Sequence, residues 1–143
     1  MHVTGISYWA VAVAAVAGFV FSGIWYGVFS KQWLAASGMD EKLAHGGGGN
    51  FSAKPFIVTF IAQFVMAWIL AGILLHVLRG GIALSLRNAL ISAVLIWIGF
   101  VVTTLVVNHT FQGIKRTQTL IDGGHWLGVL LIQSALLSWL AGA

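Results

Sequence analysis

The 143-residue chain has no cysteine, one proline and only three acidic side chains against seven Lys and Arg. Without cysteine there are no disulfides, thiolate zinc sites, thiol nucleophiles or iron–sulfur clusters. The scarcity of charge excludes still more. Only 7% of the residues are charged, whereas a soluble domain carries about 25%. Ten ionic side chains cannot cover the surface of a water-soluble fold, so soluble enzymes, soluble binding modules, disordered tails and nucleic-acid domains are set aside. The net charge of +4 reflects missing acids rather than a basic field, and makes no phosphate-binding surface. What the chain has in abundance is apolar: 59% hydrophobic residues and a mean hydropathy of +0.98.

These residues fall into four runs, about 5–29, 55–78, 82–107 and 120–140. A spanning helix needs about 20 predominantly apolar residues, and each run meets that length. Such lengths suit helices rather than the roughly 10-residue strands of a membrane barrel. The expected fold is therefore an all-α integral membrane protein, a single domain of four transmembrane helices in an antiparallel bundle. No basic residue precedes the long first run, which reads as a retained helix rather than a signal peptide.

The long connection, 30–54, divides in two. Lys31-Gln32-Trp33-Leu34 and Asp40–Ala44 suit short interfacial helical turns broken at Gly38, and Gly46–Gly49 is a flexible tract. Pro55 suits the first turn of the second helix, with Ser52 as a cap. The connection Arg79-Gly80-Gly81 is short and makes helices two and three neighbours. Lys31, Lys42, Lys54, Lys115 and Arg116 fall on one side of the membrane, against Arg79 and Arg87 on the other. Positive charge favours the cytoplasm, so both termini are expected in the periplasm of a bacterial inner membrane. Trp25, Tyr26, Trp33 and Trp126 read as anchors at one interface, and Tyr8, Trp9 and Trp139 at the other.

In lipid, helices associate through small residues and polar contacts. Ala14, Gly18 and Ser22 recur at four-residue spacing in helix one, beside the pair Gly23 and Gly27. Gly124 and Gly128 do the same in helix four, and all seven read as packing positions. Gln63, Thr104, Asn108 and Gln133 are intramembrane polar residues, suited to interhelical hydrogen bonds or, alternatively, to a polar track. No acid, lysine or arginine falls at mid-membrane, which argues against ion-coupled transport. Asp122 and His125, at i and i+3, share a helix face that His109 can approach from the preceding helix. One carboxylate and two imidazoles could hold a metal or exchange protons. The plainer reading places Asp122 in the first turn of helix four, where the helix dipole favours an acid. Ile24-Trp25-Tyr26-Gly27 and Ile96-Trp97-Ile98-Gly99 stand 72 residues apart, half the chain length, as a duplicated hairpin or a coincidence would give.

Three blocks carry a family resemblance: Gly23-Ile24-Trp25-Tyr26 followed by Lys31-Gln32-Trp33; Trp97-Ile98-Gly99-Phe100 with Asn108, Phe111 and Gly113; and Leu120-Ile121-Asp122-Gly123-Gly124-His125-Trp126. In this order they resemble the bacterial membrane family catalogued as domain of unknown function 1761 (DUF1761). Asp122 and His125 stand where the resemblance leads one to expect an amide and an aromatic. The resemblance implies a small four-helix inner-membrane protein and no particular activity.

The leading functional expectation is a non-enzymatic protein acting by association, as a homo-oligomer or an accessory subunit of a larger membrane complex. A small oligomeric channel or transporter is the alternative, and a metal- or His-dependent membrane enzyme the third reading. No cofactor is expected beyond bound lipid, with pigment and metal left open, and no nucleic acid. A C-terminal alkaline phosphatase fusion should be active and a C-terminal green fluorescent protein fusion dark; the reverse pattern would invert the assignment of the termini.

Overall fold

The computed structural model describes residues 5–38 and 53–141, so Asp40–Ala44, Gly46–Gly49 and Ser52 lie outside the described residues. It is helical throughout, with no strand among the described residues. The helices are α1 (Tyr8–Val28), α2 (Ser30–Ser37), α3 (Lys54–Arg79), α4 (Leu86–Phe111) and α5 (Arg116–Leu140). Four of them, α1, α3, α4 and α5, are long and apolar enough to cross a membrane.

Local chemistry sets the ends. Gly38 closes α2 in the left-handed conformation, with φ of 67°, which glycine adopts without a Cβ clash. Pro55 sits in the first turn of α3, where its missing N–H breaks no helical hydrogen bond. The starts of α4 and α5 differ from the hydropathy reading. Residues 82–85 are not helical, because the Ser85 side chain accepts a hydrogen bond from the Asn88 N–H at 3.2 Å and caps α4 there. By contrast, α5 begins four residues earlier than its apolar run: Arg116-Thr117-Gln118-Thr119 forms its polar first turn. Asp122 consequently lies in the second turn, and no acid occupies the first. The helix-dipole explanation for Asp122 is thereby withdrawn, since that effect fades beyond the first turn.

Helix α5 is the hub, packing against all the other helices. Its contacts with α4 and α1 are the most extensive, and α1 in turn packs closely on α3, whereas α3 and α4, expected as neighbours, hardly touch because α5 takes up the inner face of α4. Small side chains make this closeness available. Ala10, Ala14 and Ala15 of α1 are buried with Ala67, Leu70 and Leu74 of α3. Through Ala89 and Ala93, α4 enters the same core. Ile96, Trp97 and Val101 pack against that core only partly buried, and in all 6% of the apolar stretch of α4 is buried, against 44% for α5. Within α4, Trp97–Val102 forms a π-helical turn, a local widening of the backbone that the apolar periodicity does not announce.

The glycines separate into two groups. A Cβ on Gly18 would press on the side chains of Gln63 and Gln133. One on Gly124 would stand 2.9 Å from the Trp25 ring, and one on Gly128 would collide with the Phe21 ring. Around Gly23 and Gly27 there is open space. Gly128→Val should therefore destabilise the fold by about 1–3 kcal/mol through overpacking. Gly23→Ala should be neutral or stabilising by up to about 1 kcal/mol through helix propensity. Unfolding midpoints in mild detergent check both, and equal shifts would contradict this division.

Candidate functional site

The sequence supplies few polar side chains within the apolar runs, and the fold links four of them in one hydrogen-bonded chain. Gln63 of α3 and Gln133 of α5 are both 0% exposed. Gln133 Nε2 donates to Gln63 Oε1 at 3.0 Å and to the Gln63 carbonyl at 3.2 Å. Gln63 Nε2 donates in turn to Ser22 Oγ of α1 at 3.0 Å. The Ser22 hydroxyl donates to the Gly18 carbonyl at 2.9 Å and lies 2.7 Å from His125 Nε2. Having no side chain, Gly18 leaves the place where the two amides lie against the α1 backbone. The result is a buried ladder across three helices.

Hydrogen-bond accounting assigns the roles at Ser22. A hydroxyl has one proton and two lone pairs. With its proton on the Gly18 carbonyl, Ser22 Oγ accepts from both Gln63 Nε2 and His125 Nε2. The His125 proton is then on Nε2, and Nδ1 carries a bare lone pair. That Nδ1 is buried without a partner, as are Gln133 Oε1 and Ser134 Oγ. An unsatisfied buried acceptor costs about 1–3 kcal/mol.

A second cluster forms towards the start of α5. The Tyr26 hydroxyl donates to Asp122 Oδ1 at 2.7 Å, and Trp33 Nε1 of α2 donates to the same oxygen at 3.0 Å. His109 Nε2 stands 4.0 Å from Asp122 Oδ2, while its Nδ1 is 2.9 Å from Thr119 Oγ1. Two more indoles tie this end of α5 to its neighbours. Trp25 Nε1 donates to the Ile121 carbonyl at 3.0 Å, and Trp97 Nε1 to the Gly123 carbonyl at 2.8 Å. Trp25, Tyr26 and Trp33, expected as interface anchors, thus spend their polar atoms inside the protein. Trp126 stays half-buried with its ring 4.6 Å from that of His125.

Two expected groupings do not form. Thr104 and Asn108 face outward on α4, away from the buried Gln63 and Gln133, so these four residues make no track through the chain. Ser22 engages His125 Nε2, while Asp122 lies between Tyr26, Trp33 and His109. Among the described residues no three His, Asp or Glu stand close enough to hold a metal, and His109, Asp122 and His125 do not converge as a ligand set. The packing residues part in the same way: Ala14, Gly18 and Ser22 are buried, whereas Gly23 and Gly27 are exposed.

Beside the ladder, α1, α3 and α5 separate to leave a groove of about 580 Å³. Its walls are mainly apolar, Phe19, Phe56, Val58 and Trp126 among them; Ser22, Tyr26 and His125 make its polar end, and Thr59 on the α3 wall donates its hydroxyl to the Pro55 carbonyl. Sequence reading did not pick out Phe19, Phe56 or Ser134, and it took Ser22 for a packing residue. The four-residue step from Gly18 to Ser22 showed that they share a face, but no local signal showed which helix that face meets.

A family model of proteins of unknown function matches residues 9–138. The chain belongs to the DUF1761 family. The match takes in every residue of the ladder, the Asp122 cluster and the groove. Searches of curated proteins and of solved structures find no match.

For this DUF1761 protein the ladder is a stability element with a measurable signature. Gln63→Leu and Gln133→Leu should each destabilise the fold by about 1–3 kcal/mol, because each removes the bond between the two amides and leaves the other short of a partner. Together they should cost at least about 0.5 kcal/mol less than the sum of the singles. Unfolding of the four proteins of this double-mutant cycle in detergent checks the coupling, and strict additivity would contradict it.

Proposed function

We propose that this DUF1761 protein is a single-domain, antiparallel four-helix protein of the bacterial inner membrane, with both termini periplasmic, that acts by associating with other membrane helices. The carrying observation is the outer face of α4. Only 6% of its apolar stretch is buried, and its exposed residues include Thr104 and Asn108, which make no side-chain hydrogen bond among the described residues. Lipid offers an amide no hydrogen-bond partner, whereas a neighbouring helix does. A second copy of the chain, or a larger complex in which it is an accessory subunit, would meet that need.

Other features support parts of this reading. Along α1, Gly18, Ser22 and Trp25 meet Gln133, His125 and Ile121 of α5, an order that suits antiparallel helices. The short α2 packs against α5 and carries Lys31 beside Trp33, which suits a helix lying at the interface. The channel reading is weakened because the residues of its track face in different directions.

A photoreactive side chain at position 104, in native membranes, should crosslink to a second copy or to one distinct protein. The same group at position 69, exposed on α3, should give much less product. If the target is a second copy, Asn108→Leu should weaken association by about 0.6–1.7 kcal/mol, roughly 3- to 20-fold. Monomer alone at position 104, or equal crosslinking at both positions, would overturn the proposal.

A further inference from the structure

The groove beside the ladder serves none of the roles discussed above. Its origin is visible in the packing. Where α1 carries Ala10, Ala14 and Ala15, α3 closes on it and the core is continuous. Towards the other end, Gly23 offers no side chain and nothing lies within 4 Å of where its Cβ would be. The helices stay joined there by an edge-to-face contact of Phe19 and Phe60, ring centroids 5.6 Å apart, and the groove opens beside it. Its volume of about 580 Å³ falls in the usual range for small-molecule sites, roughly 300–1,000 Å³.

The polar end narrows the choice of occupant. No acid, lysine or arginine lines the groove among the described residues, so a charged headgroup finds no counter-ion there. The aromatic and aliphatic walls call for an apolar body. His125 lines the groove, is 2% exposed, and holds the unpartnered Nδ1. Ser22 fixes the opposite nitrogen as the proton-bearing one. What the ring lacks is therefore a donor, and a neutral hydroxyl is the donor that an apolar amphiphile can bring. Aromatic rings flank the imidazole, Tyr26 at 4.8 Å and Trp126 at 4.6 Å, and the Tyr26 hydroxyl is already committed to Asp122. Neither indole nor phenol supplies the missing bond.

We infer that the groove between α1, α3 and α5 is a binding site for a neutral, hydroxyl-bearing amphiphile drawn from the bilayer, its hydroxyl donating to His125 Nδ1 and its apolar body lying against Phe19, Phe56 and Trp126. Two sources share this chemistry: a glycerolipid with a free hydroxyl, and a hydroquinone on an apolar tail. The groove is open along its α3 wall, where Phe56 and Val58 are exposed. The site is independent of the α4 face, so failure of one proposal leaves the other standing.

The test uses the full chain in nanodiscs and three photoreactive probes: dioctanoylglycerol, a decyl-tailed hydroquinone, and dioctanoylglycerol with its hydroxyl methylated. Saturable labelling of α1 or α3 peptides lining the groove is expected from one or both hydroxyl probes, and which one labels identifies the source. The methyl ether should label at least tenfold less. Gly23→Leu puts a side chain into the open space and should abolish saturable labelling without disturbing the fold. His125→Phe keeps a ring but removes Nδ1, and should weaken labelling at least tenfold. The inference is overturned if neither hydroxyl probe labels saturably, if the methyl ether labels equally well, or if folded Gly23→Leu labels like the wild type.

Discussion

Inside a bilayer a polar group finds its hydrogen bonds in the protein or nowhere, and this chain meets that constraint at Gln63 and Gln133. Both amides are sealed from the surroundings, one on α3 and one on α5, and they bond each other and Ser22 of α1. A rotation of α1, α3 or α5 about its axis breaks the ladder and strands a polar group. Apolar contacts in lipid discriminate weakly among rotations, because lipid tails are as apolar as leucine. The ladder therefore fixes register, while the alanines around Ala14 and Ala67 let the backbones come near enough for it to form. Gly18 is the hinge between the two effects, since the space of its missing side chain holds the amides.

The same logic organises the start of α5. Asp122 has hydrogen bonds from a phenol and an indole, with an imidazole nearby, and so binds α1, α2 and α4 to one helix. Trp25 and Trp97 reach carbonyls two residues apart on α5. These tryptophans belong to the two Ile-Trp-x-Gly segments half a chain apart, so the segments resemble each other in the contacts they make as well as in spelling. The π-helical turn begins at Trp97. The ladder is satisfied except at two buried atoms, Gln133 Oε1 and His125 Nδ1, and the latter belongs to a ring that also lines the groove. Stability and ligand recognition thus meet at a single side chain.

Legibility differed by the kind of signal. Four spanning helices were readable because the length of an apolar run is a local property. Helix starts were read less well where polar residues intervene. Ser85 moves one start inward by capping, and Arg116–Thr119 moves another outward by adding a polar turn to an apolar helix. Small-residue spacing did not separate the occupied Gly18, Gly124 and Gly128 from the open Gly23 and Gly27. Both sets look alike along the chain, and they differ only in what faces them. For the same reason Thr104 and Asn108 were grouped with Gln63 and Gln133, although α4 turns them the other way.

Composition alone determined the solvent of this protein: with 7% charged residues, water could not hold it folded. Run lengths determined four helices long and apolar enough to cross a membrane, and family membership adds no activity. Tertiary structure decided which polar groups are partners and which stand alone. It turned Ser22 from a packing residue into a hydrogen-bonding junction, gave His125 and Asp122 different hydrogen-bond partners, and opened a groove where Gly23 leaves space. The physical reason lies in range. Hydrophobicity acts on each segment by itself, whereas a hydrogen bond in lipid is decided by the one atom that the neighbouring helix brings within 3 Å.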